Sequence, residues 1–224
     1  MEKAMKKILA ALLCGLFLLS LPAAFAAEEE GDLYPDVPRW EWYAQDVARV
    51  TQSGLMGGSD DGLFHPKDPV LRAHVITVLW RMEGSPTPQA EDWRENPVFP
   101  DVNGVDPLAP SYWYAEAAAW AYEAGIATGY EDGCFLGARS VTREELAVFL
   151  YRYATYLGQP EAKGLLTLFP DADKVSDWAE DALCHAVGMG LINGNEYGEL
   201  APQAVALRCQ LATILVRMDT PVAG

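Results

Sequence analysis

Three stretches of the chain repeat one pattern, and this limits the fold more than any other property. Each opens on an aromatic residue followed by Pro and Asp: Tyr34-Pro35-Asp36-Val37, Phe99-Pro100-Asp101-Val102 and Phe169-Pro170-Asp171-Ala172. A tryptophan follows in every copy (Trp42, Trp113, Trp178), and an arginine stands at one fixed spacing after it (Arg72, Arg143, Arg208). Between those anchors, glycines recur in three columns, each at a constant spacing from the Trp. The first is Gly54, Gly125 and Gly190, the second Gly58, Gly129 and Gly194, and the third Gly62, Gly133 and Gly198. A second arginine column lies beyond the first (Arg81, Arg152, Arg217), again without a gap. The variable part lies between the Asp and the Trp, which stand 6, 12 and 7 positions apart, as expected of a surface loop. A unit this small cannot bury its apolar face alone, whereas three packed around a common centre can. The expected fold is therefore one all-α, pseudo-threefold domain of three helix-turn-helix repeats.

Charge and the N-terminus set the chemical class. The 224 residues carry 16 Lys+Arg against 32 Asp+Glu, a formal charge of -16, and half of them are hydrophobic. That apolar content rules out an acidic disordered tail. The excess of acid argues against nucleic acid as a partner, because phosphate binding is driven by Lys and Arg. Lys3, Lys6 and Lys7 precede an apolar run from Ile8 to Leu19, and Ala24-Phe25-Ala26 reads as a cleavage site. Residues 1–26 are thus expected to be a secretory signal peptide, leaving no transmembrane segment after cleavage. Cleavage removes Glu2, Lys3, Lys6 and Lys7, so the mature chain is still more acidic. It keeps Cys134, Cys184 and Cys209, an odd number that cannot close into a disulfide framework. Buried thiols acting as small hydrophobes are expected; Cys184 and Cys209 stand where the first repeat has Ala48 and Ala73, so close helix packing is expected there, with a disulfide between them as the alternative.

Within a unit the pattern reads helix, glycine turn, helix. Trp113 to Ala124 has apolar residues at helical spacing, and Gly125 ends it with a left-handed cap. Thr142-Arg143-Glu144-Glu145 is a capping box that opens the second helix of its repeat. In the first repeat Asp68-Pro69 is expected to start that helix. In the third, Ala206-Leu207 offers no cap, and a frayed start or a cap from elsewhere is expected. The three segments between the second and third glycine columns read as tight turns requiring positive φ.

The order aromatic-x-Asp-Val, Trp-led helix, spaced glycines and Thr-Arg-x-Glu resembles the S-layer homology (SLH) domain family, in three tandem copies at 33–88, 98–158 and 168–221. The resemblance implies a pseudo-trimer with a central three-helix bundle and inter-repeat grooves. It also implies non-covalent anchoring to the bacterial cell wall through secondary cell-wall polysaccharide, typically a pyruvylated N-acetylmannosamine end. The family's motif arginine matches Arg72, Arg143 and Arg208, whose planar fork fits a carboxylate, with the helix N-terminus adding N–H donors. Trp42, Trp113 and Trp178 are either sugar-stacking platforms or core, the latter being the commoner fate of a Trp at a helix start. Asp36, Asp101 and Asp171 are either acceptors for sugar hydroxyls or cap and turn formers. Gly58, Gly129 and Gly194 let backbone come close to a ligand. Only the second repeat keeps Thr-Arg-x-Glu, with Glu145. The first reads Leu71-Arg72-Ala73-His74 and the third Leu207-Arg208-Cys209-Gln210, so unequal grooves are expected, the one around Arg143 being competent. Arg81, Arg152 and Arg217 read as cations favoured by the helix dipole.

No nucleophile motif or Walker-type loop is present, and the repeats use up the chain, so no enzyme and no cofactor are expected. The acidic runs lack the glycine and terminal glutamate of a calcium loop, and the histidines lack zinc spacing. The expected protein is secreted and cell-wall or S-layer associated. The alternative is a degenerate SLH module that serves as a surface protein–protein interaction or structural element, with a surface-protein partner and no sugar binding.

Overall fold

The computed structural model describes residues 32–219, so the expected signal peptide at 1–26 lies outside the described residues. Six α-helices are present among them: α1 (Ala44–Gln52), α2 (Arg72–Met82), α3 (Ala115–Glu123), α4 (Arg143–Tyr156), α5 (Glu180–Gly188) and α6 (Arg208–Asp219). Short 3-10 turns at Tyr112–Tyr114 and Asp177–Ala179 lead into α3 and α5. Extended pairing among the described residues is confined to three isolated β-bridges.

The glycine column after the first helices does what its position predicts. Gly54, Gly125 and Gly190 have φ of 72°, 71° and 67°. In each copy the glycine N–H and the one after it bond back to carbonyls of the helix (Gly125 to Tyr122, Ile126 to Ala121), which satisfies the last turn. At the start of α4, Thr142 Oγ1 accepts from the Glu145 N–H at 3.2 Å, and Glu145 Oε2 accepts from the Thr142 N–H at 2.9 Å. Half of this box survives in the other repeats. His74 Nδ1 accepts from Leu71 N–H at 3.3 Å, and Gln210 Oε1 accepts from Leu207 N–H at 3.1 Å. The third helix start is thus capped and not frayed. Asp68-Pro69 does not open α2, which begins at Arg72; it lies in the bridge segment, where Pro69 pairs with Leu207.

Packing is exchanged between repeats. The second helix of each repeat lies against the first helix of the next: α2 on α3, α4 on α5, and α6 back on α1. The two helices of one repeat do not meet, because the segments that join them (53–71, 124–142 and 189–207) cross over to the neighbouring unit. The helix-turn-helix repeats thus form an interlocked cycle of three. This pairing also removes the alternative of a disulfide. Cys184 lies on α5 and Cys209 on α6, which belong to different helix pairs, and all three described cysteines are free thiols.

The cycle closes on a ring of backbone hydrogen bonds. Val70 N–H donates to Ala206 O, Ala206 N–H to Val141 O, and Val141 N–H to Val70 O, at 2.8–2.9 Å. These residues occupy equivalent positions in the three repeats, and all are fully buried. Around the ring, the first two N–H groups of each second helix also find carbonyls in the next repeat: Arg72 to Arg139 and Ala73 to Gly137, Arg143 to Ala204 and Glu144 to Pro202, Arg208 to Asp68 and Cys209 to Pro66. The donors that every helix start leaves over are spent on assembly.

Val70→Pro, Val141→Pro and Ala206→Pro each delete one ring donor and orphan a buried carbonyl. Each is expected to cost at least about 1–3 kcal/mol. Urea unfolding should remain one cooperative transition in all three, since the ring is shared. Loss of a single repeat while the others stay folded would contradict the shared ring.

Candidate functional site

Each motif arginine serves the same link. Nε of Arg72 donates to Phe135 O at 2.8 Å, of Arg143 to Leu200 O at 2.7 Å, and of Arg208 to Phe64 O at 3.0 Å. The accepting residue sits in the next repeat in each case, on the turn that the aspartate column holds. Asp36 accepts from Phe64 and His65 N–H, Asp101 from Phe135 and Leu136, and Asp171 from Leu200 and Ala201, at 2.7–2.9 Å. The second residue of each pair is a non-glycine in the left-handed region (His65 φ 56°, Leu136 55°, Ala201 48°), so the two carboxylate bonds pin an unfavourable backbone. Asp36, Asp101 and Asp171 are thereby turn formers, with both oxygens committed to backbone.

A Cβ at the middle glycine column would meet protein, although Gly129 and Gly194 also line grooves. A Cβ on Gly58 would lie 2.6 Å from a Tyr34 ring carbon, on Gly129 3.0 Å from Phe99, and on Gly194 3.1 Å from Phe169. Each repeat's opening aromatic takes the room that the missing side chain leaves. Gly129 and Gly194 also carry positive φ, whereas Gly58 does not. The helix N-termini likewise spend their first two N–H groups on the neighbouring repeat.

The tryptophans go the other way. Trp42, Trp113 and Trp178 are 63%, 52% and 60% exposed, because they sit on the turn ahead of the first helix and not on its buried face. The next residue is buried in their place: Tyr43, Tyr114 or Ala179.

These placements build composite grooves to which all three repeats contribute. One is lined by Arg72 from the first repeat, by Gly129, Tyr130, Glu145 and Arg152 from the second, and by Trp178 from the third; its cavity is about 230 Å³. Its counterpart is lined by Arg143 from the second repeat, by Gly194, Asn195, Gln210 and Arg217 from the third, and by Trp42 from the first, with a cavity of about 720 Å³. At the third junction Arg208 bonds to Gly57 O and Phe64 O, and the His74 ring lies 5.7 Å from Trp113. Arg143 and Glu145, although on one helix, therefore face different grooves. The complete Thr-Arg-x-Glu motif does not furnish one complete site.

The three guanidiniums differ in what surrounds them. Arg72 and Arg143 are each 7% exposed and Arg208 is half-buried, and burial pushes all three down from the ordinary arginine value. They stay cationic, since that value is so high. No carboxylate among the described residues lies in ion-pair range of any of them. Arg72 lies over Tyr130, Phe135 and Phe149, and Arg208 over Phe64. Arg143 has Leu200 where the others have Phe, and no ring among the described residues covers it. Its favourable charge neighbour is the Asp171 carboxylate, which lies beyond ion-pair distance.

The S-layer homology domain family matches the chain three times, at residues 33–76, 98–147 and 168–212. The chain belongs to the S-layer homology domain family. It is similar to an amylopullulanase of Thermoanaerobacterium thermosulfurigenes, 31% identical over 196 residues that make up 85% of this chain and 10% of that protein. It is similar to a cellulosome-anchoring protein of Acetivibrio thermocellus, 27% identical over 176 residues (75% of this chain, 37% of the relative). The S-layer protein sap of Bacillus anthracis is 23% identical over 217 residues (96% and 24%). The chain thus spans only a minor part of each relative's length. The expected secreted, wall-associated location agrees with the family and these relatives.

The SLH grooves also contain residues that the sequence pattern assigns elsewhere. Arg81, Arg152 and Arg217 do more than complement a dipole: each donates Nη1 to a carbonyl after the first helix of its repeat (Leu55, Ile126, Leu191), and Arg152 and Arg217 line the grooves. Their recurrence in all three copies is the signal that marks them. His74 replaces the motif glutamate beside Arg208. Burial first, then the charge of Arg208, pushes its imidazole down from 6.5 to about 4.

A histidine whose folded value lies below its unfolded one contributes stability that is present above about 6.5 and lost as pH falls toward about 4. NMR titration should show the His74 ring neutral at pH 5. His74→Gln, which copies Gln210, should flatten the decline in urea stability between pH 6.5 and 4. A His74 midpoint near 6.5 would refute the assignment.

Proposed function

We propose that the chain is a non-covalent wall anchor that binds secondary cell-wall polysaccharide in the groove around Arg143. The observation that carries this reading is the state of Arg143. It is a buried cation held by one carbonyl, with no ion pair and no covering ring among the described residues, at the edge of the roomier composite groove. A buried cation with no direct ionic contact favours an anionic partner. The family resemblance supplies the class of that partner, a pyruvylated N-acetylmannosamine end. Its carboxylate would meet Arg143, with Arg217 and Lys67 on the same wall, while the exposed face of Trp42 stacks against a sugar ring. Asn193, Asn195 and Gln210 line the groove with neutral donors and acceptors suited to hydroxyl and acetamido groups.

On this reading the protein is not an enzyme, and Arg143 leads the site with Trp42, Gly194 and Gln210. Arg72, Glu145 and Trp178 form the homologous groove, and Arg208, Trp113 and Gly58 the third. Residues 1–26 export the chain, and the three repeats act as one binding unit. One relative is named as an amylopullulanase and another as a cellulosome-anchoring protein, and a shared anchoring region accounts for its presence in both.

Sedimentation of the purified chain with native wall sacculi, against sacculi stripped of secondary polymer, tests the reading; equal recovery on both would sink it. Trp42→Ala, at an exposed position, should lower recovery at least about tenfold, equivalent to about 1.4 kcal/mol, with melting temperature nearly unchanged. Arg143→Lys keeps the cation but loses the fork, and should also release the protein. Since the whole protein is acidic, added salt up to about 0.5 M should leave binding unchanged or improve it by screening long-range repulsion. A steep loss with salt would point to many distributed basic contacts instead.

A further inference from the structure

The Arg72 groove differs from the Arg143 groove at three positions that touch one another. Where the third repeat has Asn195, Ala204 and Gln210, the second has Tyr130, Arg139 and Glu145. Arg139 connects the other two. Its Nη2 lies 3.0 Å from Glu145 Oε1, its Nη1 donates to the Tyr130 hydroxyl, and its guanidinium stands 5.2 Å from the Tyr130 ring centre. The Tyr130 ring in turn covers Arg72, whose guanidinium carbon lies 4.6 Å from the ring centre.

The consequence is chemical as well as steric. In the Arg143 groove the buried cation faces an open cavity with a neutral Gln210 beside it. In the Arg72 groove the cation is already engaged by three aromatic rings, and the neighbouring side chain is a carboxylate. Glu145 is paired by Arg139, and the Arg143 groove itself has Glu41 and Glu196 in its lining, so the contrast lies in the rings that cover Arg72 and not in net charge. Arg139 is 47% exposed, so its ion pair with Glu145 holds little energy by itself. Its effect is to position: bonding the hydroxyl keeps Tyr130 lying over Arg72, where cation–π attraction also holds it. Glu144 accepts from Ser176 N–H and Oγ–H at 3.1 Å, at a position where the third repeat has Cys209 lining the open cavity.

We propose that Tyr130, Arg139 and Glu145 form a clamp that shuts the Arg72 groove to acidic glycan, so that of this groove and the Arg143 groove only the latter takes a glycan end. This rests on the polysaccharide reading above. Arg139 is a positioning residue for the clamp, and the identity of three side chains sets the number of working sites.

The variant Tyr130→Asn/Arg139→Ala/Glu145→Gln gives the second repeat the third repeat's residues at all three positions. Gln210 shows that glutamine still caps the helix there. Isothermal titration with soluble acidic polysaccharide released from wall sacculi should give one more glycan end per variant chain than per wild-type chain. Equal stoichiometry on the wild type and on a variant with native circular dichroism overturns the clamp. A second readout needs no glycan: phenylglyoxal labelling of Arg72, followed by peptide mass analysis, should rise several-fold in the variant. Unchanged labelling overturns the clamp. Raised labelling with no glycan bound by either protein upholds the closure and refutes the polysaccharide reading instead.

Discussion

Three backbone hydrogen bonds among Val70, Val141 and Ala206 hold the assembly at its centre, and most of the structure follows from them. Each donor and acceptor in that ring comes from a different repeat, so no repeat can satisfy its own. In a fully dry position an unpaired N–H or C=O is costly, and the ring forms completely or leaves orphans. Around it, each second helix spends its first N–H groups on the neighbouring repeat, and each motif arginine reaches a carbonyl held in place by that neighbour's aspartate. The recurring columns of the repeat are thus mainly the joints of a cycle.

That assignment changes what the site is made of. Arginine and aspartate, the charged residues that a ligand reading favours, are first of all structural here. The grooves are lined besides by the exposed tryptophan, by a second arginine that is itself bonded to a carbonyl, and by part of the motif arginine. Because the repeats exchange helices, the two described grooves each draw on all three of them. The local state of one motif therefore does not report the state of one site: Glu145 stands beside Arg72, while Arg143 stands beside Gln210.

The asymmetry among grooves arises from a few substitutions on a symmetric frame. Leu200 in place of phenylalanine leaves Arg143 without a covering ring, whereas Tyr130 adds one over Arg72. His74 packs against Trp113 at the third junction. The frame tolerates these differences because its closure is carried by backbone bonds and by small or branched residues at the ring, apart from the side chains that line the grooves.

The number of repeats, their helical character, the glycine caps and the capping box at Thr142 are legible in the chain alone, because these depend on interactions within a few residues. Its family resemblance was equally legible, since the spacing of Trp, Gly and Arg survives in all three copies. Tertiary structure alone decided which helices pair, that Cys184 and Cys209 lie on different pairs, that the aspartates hold turns, and that the tryptophans face solvent. These outcomes depend on contacts between residues far apart in the chain, such as Asp171 with Leu200 and Arg208 with Gly57. A periodic pattern shows that a face is buried but not which neighbour covers it, and in a cycle of similar units the covering face belongs to the next copy.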